Sequence, residues 1–309
     1  AVKERPGFKL VLPTGATGMP TKVVVLTGAT GAIGKAIARD LQSDSTNPTV
    51  SHLVLIVLDE AEGERVAGPL RGNALKVDVL VADLSRMDSI AKCANTIRET
   101  YAQVDVLMNV AAAAPKTLQI VDGLETQFAT NVLGGFVLMR ELLPMMSSGG
   151  RVVQMASELA NGLELADLHS PQKVVDQFKN EYDVVKVYAK CKQAVRMLVA
   201  EAARPGRGFA EKGVIVTSCH PGIVTSTLMS SLGFQYGIHS PSAAAQTPIK
   251  LALAPPEGLD LELEKHSGTY WVGKKQVPAA VDRVTAHNAD ACAALWQACE
   301  RLAKEHLGV

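Results

Sequence analysis

Short aliphatic runs alternate with amphipathic helical stretches along this chain, and that alternation constrains its fold more than any other feature. The run Lys22–Thr27 is rich in valine, and the stretch 32–41 behind it repeats isoleucine and leucine at helical spacing. The aliphatic runs contain few alternating polar residues, which is typical of strands covered by helices on both faces. The repeated strand–helix order predicts one α/β domain built on a doubly wound parallel sheet.

The same pattern places the remaining elements. Further strands are predicted at 53–58, 74–82, 104–110, 151–155, 214–219 and 269–272. Helices are predicted at 89–102, 124–146, 182–203, 241–252 and 290–306. We expect residues 22–309 to form the domain and residues 1–21 to precede it as an N-terminal extension.

Composition excludes several classes of protein. The 309 residues include 31 Lys+Arg and 31 Asp+Glu, so no excess of positive charge is available for binding nucleic acid. The longest aliphatic run, 53–58, is far shorter than the roughly 20 residues that a membrane helix needs. The five cysteines form no CxxC pair and no Cys/His cluster with zinc spacing, so we expect no metal site. These features predict a cytoplasmic protein without a transmembrane segment.

A glycine-rich turn joins the first predicted strand to the first predicted helix. It runs from Thr27 to Gly34 as T-G-A-T-G-A-I-G. Glycines let such a turn approach a pyrophosphate closely, and the helix behind it offers free N–H groups. The pattern alone also suits an ordinary tight connection between strand and helix. In this context we predict a dinucleotide site at Thr27, Gly28, Thr30, Gly31, Ala32, Ile33 and Gly34.

Asp59 stands directly after the second predicted strand, where dinucleotide folds place an acid that binds the ribose. A carboxylate there accepts hydrogen bonds from both ribose hydroxyls and repels a 2′-phosphate. The next charged residues are acidic: Glu60, Glu62 and Glu64. This favours NAD as the cofactor and leaves NADP as the second choice. The alternative is that Asp59 only caps the helix behind it.

Two Tyr-x-x-x-Lys pairs lie on the predicted helix at 182–203, Tyr182 with Lys186 and Tyr188 with Lys192. Residues four apart share a helix face, so each ammonium lies near the phenol of its pair. A nearby ammonium lowers a phenol pKa, ordinarily about 10, by stabilising the phenolate. A tyrosine tuned in this way can give a proton to a carbonyl or take one from an alcohol. Either pair could equally be a solvated helix surface.

Several short motifs follow one another in a fixed order along the chain. They are Asp83-Leu84, Asn109-Val110-Ala111-Ala112, the stretch from Asn131 to Phe136, the stretch from Arg151 to Ser157, and the stretch from Pro221 to Val224. Together with the glycine turn and the Tyr-Lys pair, they resemble the motifs of the short-chain dehydrogenase/reductase superfamily, from Lys22 to the final helix. Cys219-His220-Pro221-Gly222 and the C-terminal segment resemble most its retinol-dehydrogenase-like and protochlorophyllide-reductase-like group.

The resemblance implies a single Rossmann domain and a role for each motif. Tyr188, rather than Tyr182, matches the family's tyrosine and would be the general acid/base. Lys192 would lower its pKa and hold the nicotinamide ribose, Ser157 would bind the substrate oxygen, and Asn131 would hold a proton-relaying water. Cofactor contacts are implied for Asp83, Leu84, Asn109, Ala111, Tyr188, Lys192, Pro221, Gly222, Val224 and Ser226. An insertion at 159–183 and a mobile lid at 226–250 over the substrate are also implied.

Two departures from the group's pattern bear on subclass. The group spaces its glycines as T-G-x-x-x-G-x-G, whereas this chain has Gly31 and Ala32, a spacing that resembles the extended branch of the superfamily. Ala112 also stands where the family usually has glycine. The extended branch contains sugar-nucleotide epimerases and dehydratases, so such an enzyme is the alternative.

The resemblance therefore predicts an oxidoreductase that transfers hydride between a nicotinamide cofactor and a carbonyl/alcohol substrate, small and lipophilic. A catalytically silent NAD-binding sensor is a third hypothesis, although such proteins usually lose the tyrosine or the lysine. We expect a monomer or a homodimer and no nucleic-acid partner. The sequence does not name the substrate or the direction of the reaction.

Overall fold

An eight-stranded sheet with helices on both faces organises the chain. The computed structural model describes residues 22–43, 50–72, 75–253, 266–273, 275–278 and 288–308. The predicted N-terminal extension, 1–21, lies outside the described residues. The strands are β1 (Lys22–Thr27), β2 (Val50–Val57), β3 (Lys76–Val81), β4 (Val104–Asn109), β5 (Ile120–Val121), β6 (Leu124–Glu125), β7 (Met146–Met155), β8 (Ile215–His220), β9 (Tyr270–Val272) and β10 (Lys275–Gln276).

The helices follow the strands in alternation. They are α1 (Ala32–Ser43), α2 (Glu60–Ala67), α3 (Met87–Thr100), α4 (Thr126–Phe128), α5 (Gly135–Leu142), α6 (Pro171–Lys179), α7 (Val184–Ala202), α8 (Thr227–Ser231), α9 (Pro241–Leu253) and α10 (Ala289–Leu307). A π-helix, Ala129–Gly134, joins α4 to α5, and short 3₁₀ turns lie at 68–70, 143–145 and 165–167.

The sheet order is β10-β9-β8-β7-β4-β1-β2-β3, and a separate hairpin pairs β5 with β6. All neighbours in the large sheet are parallel except β10, which runs antiparallel to β9. After β3 the chain returns to the other side of β1, so the strand order reverses between β1 and β4. The predicted doubly wound parallel sheet in a single domain is confirmed.

Helices bury both faces of the sheet. On one face Ile90 of α3, Phe136 of α5 and Trp296 of α10 belong to a continuous apolar core. On the other face Ile37 of α1 and Leu251 of α9 belong to a second core. β1 and β4 are covered on both sides, and their apolar runs Val23–Leu26 and Val106–Met108 are buried.

The long helix predicted at 124–146 is wrong in detail. The segment begins as strand β6, and the buried Glu125 side chain accepts hydrogen bonds from the backbone N–H groups of Gln127 and Phe128 at 2.8 Å. That cap starts α4, and the π-helix then widens the backbone before α5. Gly134 permits a close approach there, since a Cβ on it would overlap the Leu84 carbonyl oxygen.

The predicted insertion, 159–183, is folded against the core. It contains α6, which begins at a Ser170 cap and buries Val174, Val175 and Phe178. The Phe178 ring stacks on Phe128 with centroids 4.5 Å apart. This helix was not among the predicted elements.

The predicted lid, 226–250, divides into two parts. Its first part holds α8 and reaches Phe234, beside the cleft described below. Its second part is the beginning of α9, where Ala245 packs in the second core. The mobility of the first part stays a prediction. None of the helices in the described ranges combines the length and apolar character needed to cross a membrane.

Candidate active site

A cleft of about 1000 Å³ opens at the carboxyl ends of the central strands. Residues following β1, β2, β4, β7 and β8 contribute to its walls, as does α8. The strand order reverses between β1 and β4, and open α/β sheets bind ligands in the crevice at that point. The topology therefore places the cleft where a dinucleotide would bind.

The glycine turn forms one end of the cleft. Gly28 adopts a φ of +70°, and a Cβ on it would lie 2.6 Å from the Ala111 Cα. A Cβ on Gly34 would overlap the Gly28 carbonyl oxygen, so α1 begins as close to the turn as backbone atoms allow. Thr27 connects the turn to the loop after β4, because its Oγ1 accepts hydrogen bonds from the N–H groups of Val110 and Ala111 at 3.0 and 3.1 Å. The turn and the amino end of α1 thus present backbone N–H groups to the cleft.

Ser157, Tyr188 and Lys192 meet at the other end of the cleft. The Ser157 side chain lies close enough to the Tyr188 hydroxyl to influence its pKa. Lys192, fully buried, donates a hydrogen bond from Nζ to the Met155 carbonyl at 2.7 Å, and its Nζ lies 5.3 Å from the centre of the Tyr188 ring. Helix α7 brings the tyrosine and the lysine onto one face, and β7 delivers the serine from the adjacent strand end.

Burial dominates the protonation of this group. It raises the pKa of Tyr188, and the Ser157 side chain opposes that shift. It also lowers the pKa of Lys192 to about 8, against the smaller opposing effects of Cys191 and Cys219. Lys192 is not among the groups that shift the pKa of Tyr188, so the sequence-based expectation that it lowers this pKa is not met. Tyr188 is therefore a neutral phenol that can donate a proton.

Asn131 lies behind this group rather than in the cleft wall. It is buried in the π-helix, where its Oδ1 accepts from the Ala113 N–H at 2.7 Å and its Nδ2 donates to the Ala113 carbonyl at 2.8 Å. This two-way bond ties the π-helix to the loop after β4. A single turn of π-helix is frequent at functional sites.

Asp59 does not line the cleft. Its Oδ1 accepts a hydrogen bond from the Glu62 N–H at 2.8 Å, which makes Asp59 the cap of α2. At the end of β2 the cleft is lined by Ile56, Val57 and Leu58, of which Leu58 is 71% exposed. A cation, Lys35, lies in the wall at the beginning of α1.

Most of the sequence-predicted site residues are brought together in this cleft. Those that line it are Gly28, Thr30, Gly31, Ala32, Ile33, Gly34, Asp83, Leu84, Ala111, Ser157, Tyr188, Lys192, Pro221, Gly222, Val224 and Ser226. Four do not: Thr27, Asp59, Asn109 and Asn131. Asn109 is buried and donates from Nδ2 to the Gly135 carbonyl at 3.2 Å, so it supports the wall from inside.

Other lining residues were missed by sequence reasoning. Gln119 and Val121 come from the β5–β6 hairpin, whose strands are two residues long and leave no periodic signal. Glu158 and His220 also line the cleft. Each is adjacent in sequence to a predicted site residue, and that adjacency was the available signal.

The residues present fit a dinucleotide. The close-packed glycine turn leaves room for phosphates that a side chain at Gly28 or Gly34 would disturb. The apolar side chains of Ile56, Val57 and Leu84 offer flat surfaces to a base, and the Tyr188 group lies at the far end, where a nicotinamide would reach.

Known proteins are similar to this chain in sequence and in fold. A family model described as short chain dehydrogenase matches residues 22–165. Mouse (Mus musculus) retinol dehydrogenase 13 is 30% identical over 314 residues, covering 94% of this chain and 86% of that protein. Human (Homo sapiens) retinol dehydrogenase 12 is 32% identical over 302 residues, covering 92% of this chain and 87% of that protein. A protein from Streptomyces sp. (strain C5), provisionally named a daunorubicin C-13 ketoreductase, is 28% identical over 301 residues, covering 91% and 92%.

Solved structures support the same fold. A short-chain dehydrogenase/reductase from Serratia marcescens superposes with a TM-score of 0.61 at 20% identity, covering 82% of this chain and 97% of that one. A short chain dehydrogenase from Burkholderia cenocepacia, solved in complex with NADP, superposes with a TM-score of 0.61 at 18% identity, covering 81% and 95%.

Proposed function

The chain belongs to the short-chain dehydrogenase/reductase superfamily, in its retinol-dehydrogenase-like group, and on that premise we propose that it interconverts a lipophilic carbonyl compound and its alcohol. Membership makes it a hydride-transfer oxidoreductase. The observation that carries the finer proposal is the meeting of Ser157, Tyr188 and Lys192 at the end of the cleft opposite the glycine turn.

Backbone and side-chain groups along the cleft would hold a nicotinamide dinucleotide. The glycine turn and the first N–H groups of α1 would bind its pyrophosphate, Asp83 and Leu84 would lie against the adenine, and Lys192 would reach the nicotinamide ribose. When bound, the cofactor supplies or accepts the hydride. The segment from Pro221 to Ser226 would contact the carboxamide.

Tyr188 would move the proton in this scheme. Its neutral hydroxyl would donate a proton to the carbonyl oxygen during reduction, and in the reverse direction its phenolate form would take a proton from the alcohol. Ser157 donates a hydrogen bond to the same oxygen and stabilises the charge that develops there. A hydrogen bond to Met155 fixes Lys192 below the Tyr188 ring, so that a positive charge faces the phenol when the lysine is protonated.

Asn131 would act as a positioning residue rather than as a reacting group. Its side chain is occupied by both backbone groups of Ala113, so its part in a proton relay would rest on holding the π-helix and the loop after β4 in place. That loop carries Ala111 to Ala113 into the cleft wall beside Tyr188.

The choice between NAD and NADP is open in this proposal. The argument for NAD rests on Asp59, and its carboxylate caps α2 instead of lining the cleft. Leu58 and Lys35 both line the cleft, and neither side chain repels a 2′-phosphate. We therefore propose that NADP is used at least as well as NAD.

A lipophilic substrate is favoured by the walls around Tyr188. Leu232 and Leu228 pack beside Tyr188 and Ala114, and Leu159, Met229 and Phe234 line the same region. The names of the relatives above, retinol dehydrogenases and a ketoreductase, describe carbonyl and alcohol chemistry in those proteins. The alternative of an epimerase or dehydratase rested on Gly31 alone. The other alternative, a catalytically silent sensor, is disfavoured because Ser157, Tyr188 and Lys192 are all present.

Turnover of a carbonyl panel tests the proposal. Purified protein is incubated with NADPH or NADH and aliphatic, aromatic and polyene aldehydes and ketones, and oxidation of the cofactor is followed at 340 nm. We expect cofactor-dependent reduction of apolar aldehydes, with matching amounts of alcohol product. Binding of either cofactor without turnover of any carbonyl or alcohol would contradict the proposal and support the sensor hypothesis.

A further inference from the structure

Glu158 places a carboxylate in the half of the cleft where the substrate would lie. It follows Ser157 directly, and it lines the cleft together with Leu159 and His220. Its side chain is 61% exposed, so the carboxylate is open to the cleft and its mouth rather than enclosed in the protein.

The other charged groups of the cleft wall are already engaged or lie elsewhere. Asp83 accepts hydrogen bonds from the N–H and the hydroxyl of Ser85 at 2.9 and 2.6 Å, and it lies at the adenine side. Lys35 belongs to the glycine-turn end. Lys192 is buried beneath Tyr188 and bound to the Met155 carbonyl. Among the described residues, Glu158 is thus the one carboxylate that lines the cleft beside Ser157.

His220 does not neutralise this carboxylate. The His220 Nε2 lies 3.8 Å from the Glu158 Oε2, too far for a hydrogen bond. Burial lowers the pKa of His220, the charge of Glu158 raises it, and His239 lowers it further. The imidazole is therefore protonated to a smaller extent than a free histidine and offsets the negative charge of Glu158 only weakly.

Apart from His220, several apolar side chains share the cleft with Glu158. Leu159 is its neighbour in sequence, and Leu228, Met229 and Phe234 also line the cleft. Low-dielectric walls strengthen the field of a single charge inside a cleft. An apolar wall with one carboxylate suits a ligand that has an apolar body and one positive charge, and it disfavours a ligand that carries a carboxylate.

We propose that Glu158 is a specificity-determining residue, which makes this site prefer carbonyl substrates bearing a cationic amine over isosteric neutral ones, and neutral ones over carboxylates. The inference rests on the proposed function, because it assigns the substrate class of that same cleft. The cation would pair with the carboxylate while the carbonyl lies between Ser157 and Tyr188.

Three para-substituted benzaldehydes test this preference. They carry a trimethylammoniomethyl group, a neopentyl group as its neutral isostere, or a carboxymethyl group. kcat/KM is measured for each with the wild-type protein and with Glu158→Gln, and each probe is also measured as a competitive inhibitor of the carbonyl that the panel shows to be the best substrate. We expect the cationic probe to exceed the neutral one by about three- to tenfold in the wild type, a range set by the partial exposure of the carboxylate.

The variants decide between the outcomes. Glu158→Gln should bring the cationic-to-neutral ratio of kcat/KM close to one. Glu158→Lys should reverse the order of preference, so that the carboxymethyl probe has the highest kcat/KM. Glu164→Gln is the matched control, since Glu164 is exposed, lies in the neighbouring segment and does not line the cleft. It removes the same charge and should leave the ratio unchanged. Thermal unfolding of each variant checks that the fold is intact.

Two results would overturn the inference. A wild-type ratio near one, by turnover and by inhibition, would show that the carboxylate does not reach the substrate. An equal change for all three probes in Glu158→Gln would show that Glu158 acts on the cofactor or the fold instead. Failure of the proposed function looks different, because then the panel itself yields no turnover with any carbonyl.

Discussion

At the scale of single residues, the account depends on where each polar side chain lies relative to the cleft. The sequence shows a tyrosine and a lysine four apart on a helix, and the structure adds the Met155 carbonyl that holds Lys192 in place. That contact joins the end of β7 to α7, 37 residues away in sequence, so no local pattern could predict it. Burial, which also arises from the whole fold, sets the direction of both pKa shifts.

The buried Lys192 predicts a pH-dependent stability. Its folded pKa is lowered to about 8, below the 10.5 of an unfolded lysine. Between these values the unfolded chain binds a proton that the folded chain does not, so the free energy of unfolding rises as pH increases from 8 to 10.5. Relative to Lys192→Met, the wild type should gain about 2–3 kcal/mol over that interval.

Urea titrations at pH 7.5, 9 and 10.5 measure this difference. Lys192→Met keeps every titratable group except Lys192, so the difference between the two proteins reports on that lysine. Equal pH dependence of the two proteins would show that Lys192 is not buried as described. The variant should also lose activity, because it carries no charge beneath Tyr188.

Asp59 gives a second test at this scale. Its carboxylate caps α2, so Asp59→Asn, which keeps the capping oxygen, should change the ratio of NADH to NADPH affinity less than about twofold. Asp59→Ala should cost about 0.5–2 kcal/mol of stability through loss of the cap. Fluorescence titration with each cofactor measures the ratio. A large change of the affinity ratio in favour of NADPH in Asp59→Asn would show instead that Asp59 binds the ribose.

At the scale of elements, the structure agrees with the sequence-based prediction where a turn or a strand has its own sequence signature. The glycine turn is such a case: its spacing predicts a close approach, and the contacts of Gly28 and Gly34 show one. The side chain that faces the cleft after β2 was harder to predict. Consecutive side chains of a strand point in opposite directions. An error of one residue in the predicted end of the strand therefore assigns Asp59, instead of Leu58, to the cleft wall.

The glycines of the turn should differ in their tolerance of a methyl group. A Cβ at Gly34 would overlap the Gly28 carbonyl oxygen, whereas a Cβ at Gly31 would lie 3.4 Å from it, an ordinary contact. Gly34→Ala should therefore cost about 1–3 kcal/mol of stability and weaken dinucleotide binding at least tenfold.

Gly31→Ala is the matched control and should change stability by less than about 1 kcal/mol. Isothermal titration calorimetry and thermal unfolding measure both properties. Equal behaviour of the two variants would mean that the turn is looser than the structure shows.

At the scale of the whole molecule, alternation of aliphatic runs and helical stretches was enough to predict the architecture. Parallel strands covered on both faces are mostly apolar, and this pattern recurs along the part of the chain that the structure describes. Features that depend on distant contacts could not be predicted in this way: the folded segment around α6, the two-residue hairpin strands and the π-helix at Asn131. The cytoplasmic location and the oligomeric state stay predictions.

The central claim is that Tyr188 is the proton donor of a carbonyl-reducing site, and a pair of matched variants tests it most directly. Tyr182 belongs to the other Tyr-x-x-x-Lys pair, does not line the cleft, and uses its hydroxyl to bond the Pro115 carbonyl and the Gln127 amide. Tyr182→Phe removes the same atom and should cost about 1 kcal/mol of stability with little loss of activity.

The measurement is single-turnover reduction of the best aldehyde by each variant loaded with saturating NADPH, with cofactor affinity determined separately. Tyr188→Phe should bind NADPH with near wild-type affinity and reduce the aldehyde at least about 100-fold more slowly, the loss expected for a missing general acid. Tyr182→Phe should stay within a few-fold of the wild type. Full activity in Tyr188→Phe, or an equal loss in both variants, would contradict the assignment.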